Sequence, residues 1–208
     1  MTLRSCNVGA RRYSHYHAYT GVMTEFCFEH VFRAPSVAAV FTAYFDPQHQ
    51  QEQDRRLAIA ERSVLELEDS GTELVRVSRI VPKRQLPVYV RPFVSGQLYY
   101  VERLRWRRAE DAIEIEIRPS ILNGRAVISA VYRLSQLSPD EIVRRYAGSV
   151  SVDVAFVASK IERGIVAEFG RSMPIAAACT QEWLDTHHAM VSARPGLNNG
   201  KPSGIISS

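Results

Sequence analysis

The chain of 208 residues is 46% hydrophobic and 23% charged, which suits one ordinary domain with extensions and excludes disordered, collagenous and coiled-coil classes. Its longest apolar runs, such as Val37 to Phe41, fall far short of the roughly 20 residues a spanning helix needs, so a cytoplasmic protein with no transmembrane segment is expected. The formal net charge of +4 sits at the ends, where Arg4, Arg11 and Arg12 in 1–22 and Arg194 and Lys201 in 192–208 face no acid, leaving 21 basic against 22 acidic residues between. Nucleic-acid surfaces concentrate positive charge on the folded domain, and this pattern argues against one.

Three cysteines, Cys6, Cys27 and Cys179, are an odd number without CxxC spacing, which argues against a disulfide framework and a thiolate zinc site. Residues 1–22 lack the apolar stretch of an export signal. They read as a disordered extension, with Met1 and Met23 both open as the start. From Glu25 to Phe32, EFCFEHVF alternates and sets Phe26, Phe28, His30 and Phe32 on one face of a strand. Ser36 then caps a helix in which Val37, Val40, Phe41 and Tyr44 recur at helical spacing. Asp46-Pro47 ends it and opens a second, short helix, polar on most sides and expected to be exposed.

Strands follow. Arg62–Leu67 and Glu73–Val81 flank Asp69-Ser70-Gly71 and read as a hairpin. The stretch PKRQLPVYVRPFVSG contains Pro82, Pro87 and Pro92 and is a connection rather than a central strand. Gln97–Arg107 alternates with Leu98, Tyr100, Glu102, Leu104 and Trp106 on one face and arginines, a solvated set, on the other. AIEIEIR turns Ile113, Ile115 and Ile117 inward. Asn123-Gly124 signals a tight hairpin leading to Ala126, Ile128, Ala130, Tyr132 and Leu134, and a last strand spans Ile142 to Val154. Ser159-Lys-Ile-Glu162 fits a capping box opening a long helix, with a stripe of Ile161, Ile165, Phe169, Ala176, Cys179 and Trp183 and a kink expected near Gly170 to Pro174. Beyond it, 192–208 reads as a disordered tail, so the domain is 23–191.

The fold class is α+β: a curved antiparallel sheet of about seven strands, two short helices after strand 1, and one long C-terminal helix. A single helix covers only about 10 Å of width, so a cavity between helix and sheet is expected. This order, GSVSVDV before KIERGIVAEF, and CTQEWLDTH resemble the START-like, or Bet v 1-like, superfamily with its helix-grip fold. FEHVFRAPSVAAVFTAYFD, the PKRQLP loop and YYVERLRW further resemble an uncharacterised bacterial subfamily of it. The resemblance implies a ligand site under the long helix and brings no shared catalytic motif.

The interior polar candidates follow from phase. Glu102, between Tyr100 and Leu104, points inward, where burial raises a carboxyl pKa unless an arginine or tyrosine hydroxyl pairs with it. His30 shares the phenylalanine face and reads first as a hydrogen-bonded core histidine. Arg84 in the PKRQLP loop suits a carboxylate or phosphate. Phe28, His30, Arg84, Tyr100, Glu102 and Trp106 form the candidate ligand set, apolar with a few polar anchors. His187-His188 diverge by about 100° on a helix and do not chelate; Cys179 reads as a small buried hydrophobe. No GxSxG, phosphate loop or GxGxxG occurs, so no cofactor or metal is expected. The leading expectation is non-catalytic binding of a small hydrophobic or amphipathic ligand. A polyketide-type aromatase or cyclase in the same cavity and a structural or partner-binding module, homodimeric or with another protein, are the alternatives.

Overall fold

In the computed structural model, residues 23–83, 96–154 and 156–192 are described. The two extensions therefore lie outside the described residues, apart from Ser192, which closes the long helix. Arg84 and most of the proline-rich connection lie outside them too. The chain order is β1 (Thr24–Arg33), α1 (Val37–Phe45), α2 (Pro47–Arg56), β2 (Ile59–Asp69), β3 (Glu73–Pro82), β4 (Tyr100–Arg107), β5 (Ala112–Pro119), β6 (Ala126–Ser138), β7 (Glu141–Val152) and α3 (Ala158–Ser192). The strands form one seven-stranded sheet in the order β1-β7-β6-β5-β4-β3-β2, and every neighbouring pair is antiparallel. A meander of β2 to β7 thus recruits β1 last, beside β7.

Local chemistry sets the joints. Ser36 accepts from the Ala39 amide to start α1, and Asp46 accepts from His49 N–H to start α2 with Pro47 at its first position, both satisfying otherwise orphaned amides. In the β2–β3 turn, Asp69 accepts from the Gly71 amide at 2.9 Å, and Gly71 takes φ 82°, which glycine adopts without steric cost. The β5–β6 connection departs from a two-residue hairpin. Ile121–Gly124 form a 3₁₀ turn whose Ile121 and Leu122 are buried, so the loop closes one end of the core and needs more chain than a tight turn offers.

The core lies on the concave face. Phe26 and Phe32 of β1, Leu104 of β4, Ile113, Ile115 and Ile117 of β5, the inward residues of β6 and Ile142 and Val150 of β7 are buried there, in the phase that alternation predicts. Helix α3 packs on β1 and β7 and against α1 and α2. It starts at Ala158, so Ser159 is inside the helix and the expected capping box does not form. Glu162, fully buried, instead accepts from Thr24 Oγ1 at 2.7 Å and from the Val152 amide at 3.0 Å, fastening the helix to the outer two strands. Pro174 leaves α3 continuous; it removes a single amide, and packing on both sides of it holds the helix.

Two more features correct the sequence reading. Helix α2 is not exposed all round, because His49 is buried and its Nε2 lies 3.1 Å from Thr180 Oγ1 of α3. Cys27 takes part in a disulfide, which the odd cysteine count did not foresee, while Cys179 is a buried free thiol. The arginines of β4 behave as a solvated face: Arg105 pairs with Glu73 at 2.6 Å and Arg107 with Glu110 at 2.9 Å. The far edge strand, β2, exposes Val64, Leu65 and Leu67.

Candidate functional site

The cross-strand register arranges the concave face in rows. One row runs Ser78, Glu102, Ile117, Ile128, Val150, Thr24, and the next runs Arg76, Leu104, Ile115, Ala130, Gly148, Phe26. Beyond it come Leu74, Trp106, Ile113, Tyr132, Tyr146 and Phe28, then the pair Arg144 and His30. Polar groups are therefore interleaved with aliphatic ones on a surface that a core would keep apolar.

Glu102 faces inward and is paired. Its Oε1 accepts from Arg62 Nη1 at 3.2 Å, and Asp54 of α2 holds the same guanidinium at 2.8 Å. All three side chains are 16% exposed. Burial works against the charged form of Arg62, but its hydrogen bonds to Asp54 and the Glu102 charge outweigh it and raise its pKa. Around this triad stand Tyr44, Tyr100 and Tyr146. Burial first, and the Glu102 charge second, raise all three phenols, Tyr100 to about 12. No hydrogen bond joins these three hydroxyls to another described residue.

His30 belongs to a different cluster. Its Nδ1 lies 2.8 Å from Arg144 Nη2, and because a guanidinium only donates, the imidazole accepts there and is neutral. Burial, then the Arg144 charge, lowers its pKa to about 4. Arg144 is 3% exposed, donates also to the Met173 carbonyl of α3 at 3.4 Å, and lies 5.2 Å from the centre of the Phe32 ring. Phe28 lies near α3, where Gly170 approaches its ring, and is half-buried beside Phe26.

Trp106 stands apart from the polar set. It stacks on Phe41 and Phe45 of α1 with ring centres 4.8 Å away in both cases. With Leu74 and Arg108 these aromatics line a groove of about 420 Å³ at the α1 end of the sheet. A second cavity of about 260 Å³ lies between α2 and α3, against His49, Cys179 and Trp183. Neither is the space between α3 and β4. Around α3 and β4, Phe28, Tyr100, Glu102, Ile165, Phe169 and Met173 are all half-buried; Phe169 packs on Phe26 and Tyr146, and the charge of Glu168 of α3 bears on Tyr100.

Of the expected ligand set, the structure thus brings Tyr100 and Glu102 together, connects them through Tyr146 to its strand neighbour Phe28, holds His30 on Arg144, and sets Trp106 under α1. Sequence reasoning missed Arg62, Arg76, Ser78 and Arg144, although Arg76 and Ser78 share the inward phase of β3 with Leu74 and Ile80 and Arg144 that of β7 with Ile142 and Tyr146, while Arg62 stands opposite Ile80. It also missed Tyr44 and Asp54, which helices bring in. Among the described residues no group of histidine, cysteine or carboxylate side chains has the geometry to hold a metal ion, and no helix is long and apolar enough to cross a membrane.

Sheet order, the paired short helices and the long gripping helix define a START-like, Bet v 1-like fold. Residues 28–184 match the model of a protein family described as a protein of unknown function, DUF2505, and the chain belongs to that family. Among solved structures it is similar to the Zhui aromatase/cyclase of a Streptomyces species, at 11% identity and TM-score 0.59 over 80% of this chain and 96% of that one. It is similar also to norcoclaurine synthase of Thalictrum flavum in complex with dopamine and hydroxybenzaldehyde, at 15% identity and TM-score 0.55 over 84% and 98%. A START superfamily protein of Mycobacterium smegmatis shares 12% identity at TM-score 0.50 over 80% and 99%. No curated protein matches the sequence.

Proposed function

We propose that the chain binds a small amphipathic ligand between α3 and the concave face of β4, without transforming it. One observation carries this reading: Tyr100 and Glu102 of β4 and the apolar Phe28, Ile165, Phe169 and Met173 of β1 and α3 are left half-buried, beside phenols with no hydrogen-bond partner among the described residues. Apolar walls with a few polar anchors are what a small-molecule site requires. Phe28, Tyr100 and Glu102 line it, and His30 supports it from behind through Arg144. The fold shared with an aromatase/cyclase and with norcoclaurine synthase agrees with a cavity at this place and does not choose a reaction.

Binding is favoured over acid–base chemistry by the titratable groups themselves. A general acid or base works best with a pKa near the ambient pH, whereas the phenols are driven upward and His30 downward, away from neutrality. Native mass spectrometry of the purified chain tests the reading. A co-purifying mass of a few hundred daltons, lost on denaturation, is expected; a bare protein that also fails to take up a fluorescent fatty-acid probe overturns it.

A further inference from the structure

Both carboxylates at the Glu102 cluster are committed to one cation. Asp54 and Glu102 bind Arg62, which leaves two inward-facing guanidinium groups, Arg76 and Arg144, with no carboxylate partner among the described residues. Their situations differ. Arg144 is enclosed, with His30, the Met173 carbonyl and the faces of Phe32 and Tyr132 around it. Arg76 is only half-buried. It lies 5.9 Å from the centre of the Phe45 ring and makes no hydrogen bond or ion pair with another described residue, and its Nε is buried and unsatisfied.

A cation drawn partly out of water without a counter-ion is costly. Two residues along the same face of β3, Ser78 is fully buried with its hydroxyl unpartnered as well. Ser78 is the cross-strand neighbour of Glu102, and Tyr44 senses the charges of both Glu102 and Arg76. One stretch of the concave face therefore collects three donors with no hydrogen-bond partner among the described residues: the Arg76 guanidinium, the Ser78 hydroxyl and the Tyr44 phenol.

We propose that the ligand is an anion: an amphiphile with a carboxylate head held by Arg76, its apolar body lying along the half-buried residues of α3. The inference rests on the ligand-binding reading above and adds the charge of the ligand. A guanidinium fork matches the two oxygens of a carboxylate, and a monoanion supplies the single charge that the accessible arginine lacks. A cationic head would be repelled by the Arg76 charge.

Anthroyloxy-stearic acid and its methyl ester test this by fluorescence titration at pH 7.5, on the full chain and on Arg76→Met. A hydrogen bond to a charged group is worth about 1.5–3 kcal/mol, so the parent should bind the acid at least about tenfold more tightly than the ester. Arg76→Met should lose that preference by weakening the acid alone, and Arg76→Lys should restore part of it. Because the methionine removes an uncompensated charge and keeps the apolar stem, its melting temperature without ligand should equal or exceed the parent's, an exchange of stability for function. Equal affinity of the parent for acid and ester overturns the anionic ligand while sparing the ligand site, and needs no variant. An acid preference that survives in Arg76→Met overturns the role of Arg76. Failure of both probes to bind overturns the ligand site, and the proposal with it.

Discussion

At the scale of single residues, burial rather than sequence neighbourhood decides what the polar groups do. His30 is 6% exposed and its pKa is lowered to about 4, against about 6.5 when unfolded. Between those values the unfolded chain binds the extra proton. Stability is therefore fully present above pH 6.5 and is lost as the pH falls toward 4, by up to about 3 kcal/mol from this residue. Burial lowers His49 as well, in the same sense. Urea midpoints measured at pH 7 and 4.5 should show the drop, and His30→Phe, which cannot take the proton, should show a shallower one. Parallel pH curves for the two proteins would contradict this account. Trp183 belongs to the same scale. It is half-buried, stacked on His187 at 3.7 Å, so Trp183→Ala should cost about 1–3 kcal/mol in chemical denaturation, less than the truncation of a fully enclosed ring.

Among the elements, strand β7 and the start of α3 carry the tightest constraints. Gly148 pairs with Phe26 on one side and Ala130 on the other. A Cβ added there would stand 2.1 Å from the Ser129 carbonyl oxygen and 2.7 Å from Ala130 Cα. Both are backbone atoms that only a shift of β6 can move, so Gly148→Ala should destabilise by about 3 kcal/mol or more, at the upper end for overpacking, with the loss read as a fall in melting temperature. Glu162 makes a finer distinction. Glu162→Ala should cost about 2–4 kcal/mol by leaving the Thr24 hydroxyl and Val152 amide unpaired. Glu162→Gln should cost under about 1 kcal/mol, since the amide oxygen can serve Val152 while the Thr24 hydroxyl turns acceptor. Equal losses would mean that the charge of Glu162, not its acceptors, holds α3. The elements themselves were largely legible, because period-two alternation in β1, β4, β5 and β6 and the caps at Ser36 and Asp46 are local signals. The start of α3 was not: Ser159 and Glu162 have the spacing of a capping box, and only tertiary contact with Thr24 and Val152 decides that Glu162 reaches across to the sheet.

For the whole molecule, the sequence conveyed which residues face inward but not which of them meet. The phase of β4 placed Tyr100, Glu102 and Trp106 on one surface, yet Trp106 is claimed by Phe41 and Phe45 of α1 while Glu102 is claimed by Arg62 of β2, which Asp54 of α2 also holds. The same long-range closure bears on how the molecule is made. Phe32 pairs with Ile142 and Thr24 with Val150, so the first strand to leave the ribosome finds its partner only after nearly all the others have emerged. At ~5–20 residues per second, the phenylalanines of β1 wait several seconds with their apolar face uncovered. Folding that closes such distant contacts is slow in any case. Arrest of translation before β7 should leave a nascent chain that holds the β2–β6 meander, binds holding chaperones through β1, and resists proteolysis only from Ile59 onward; release of the complete chain should erase all three signs within the refolding time of the purified protein.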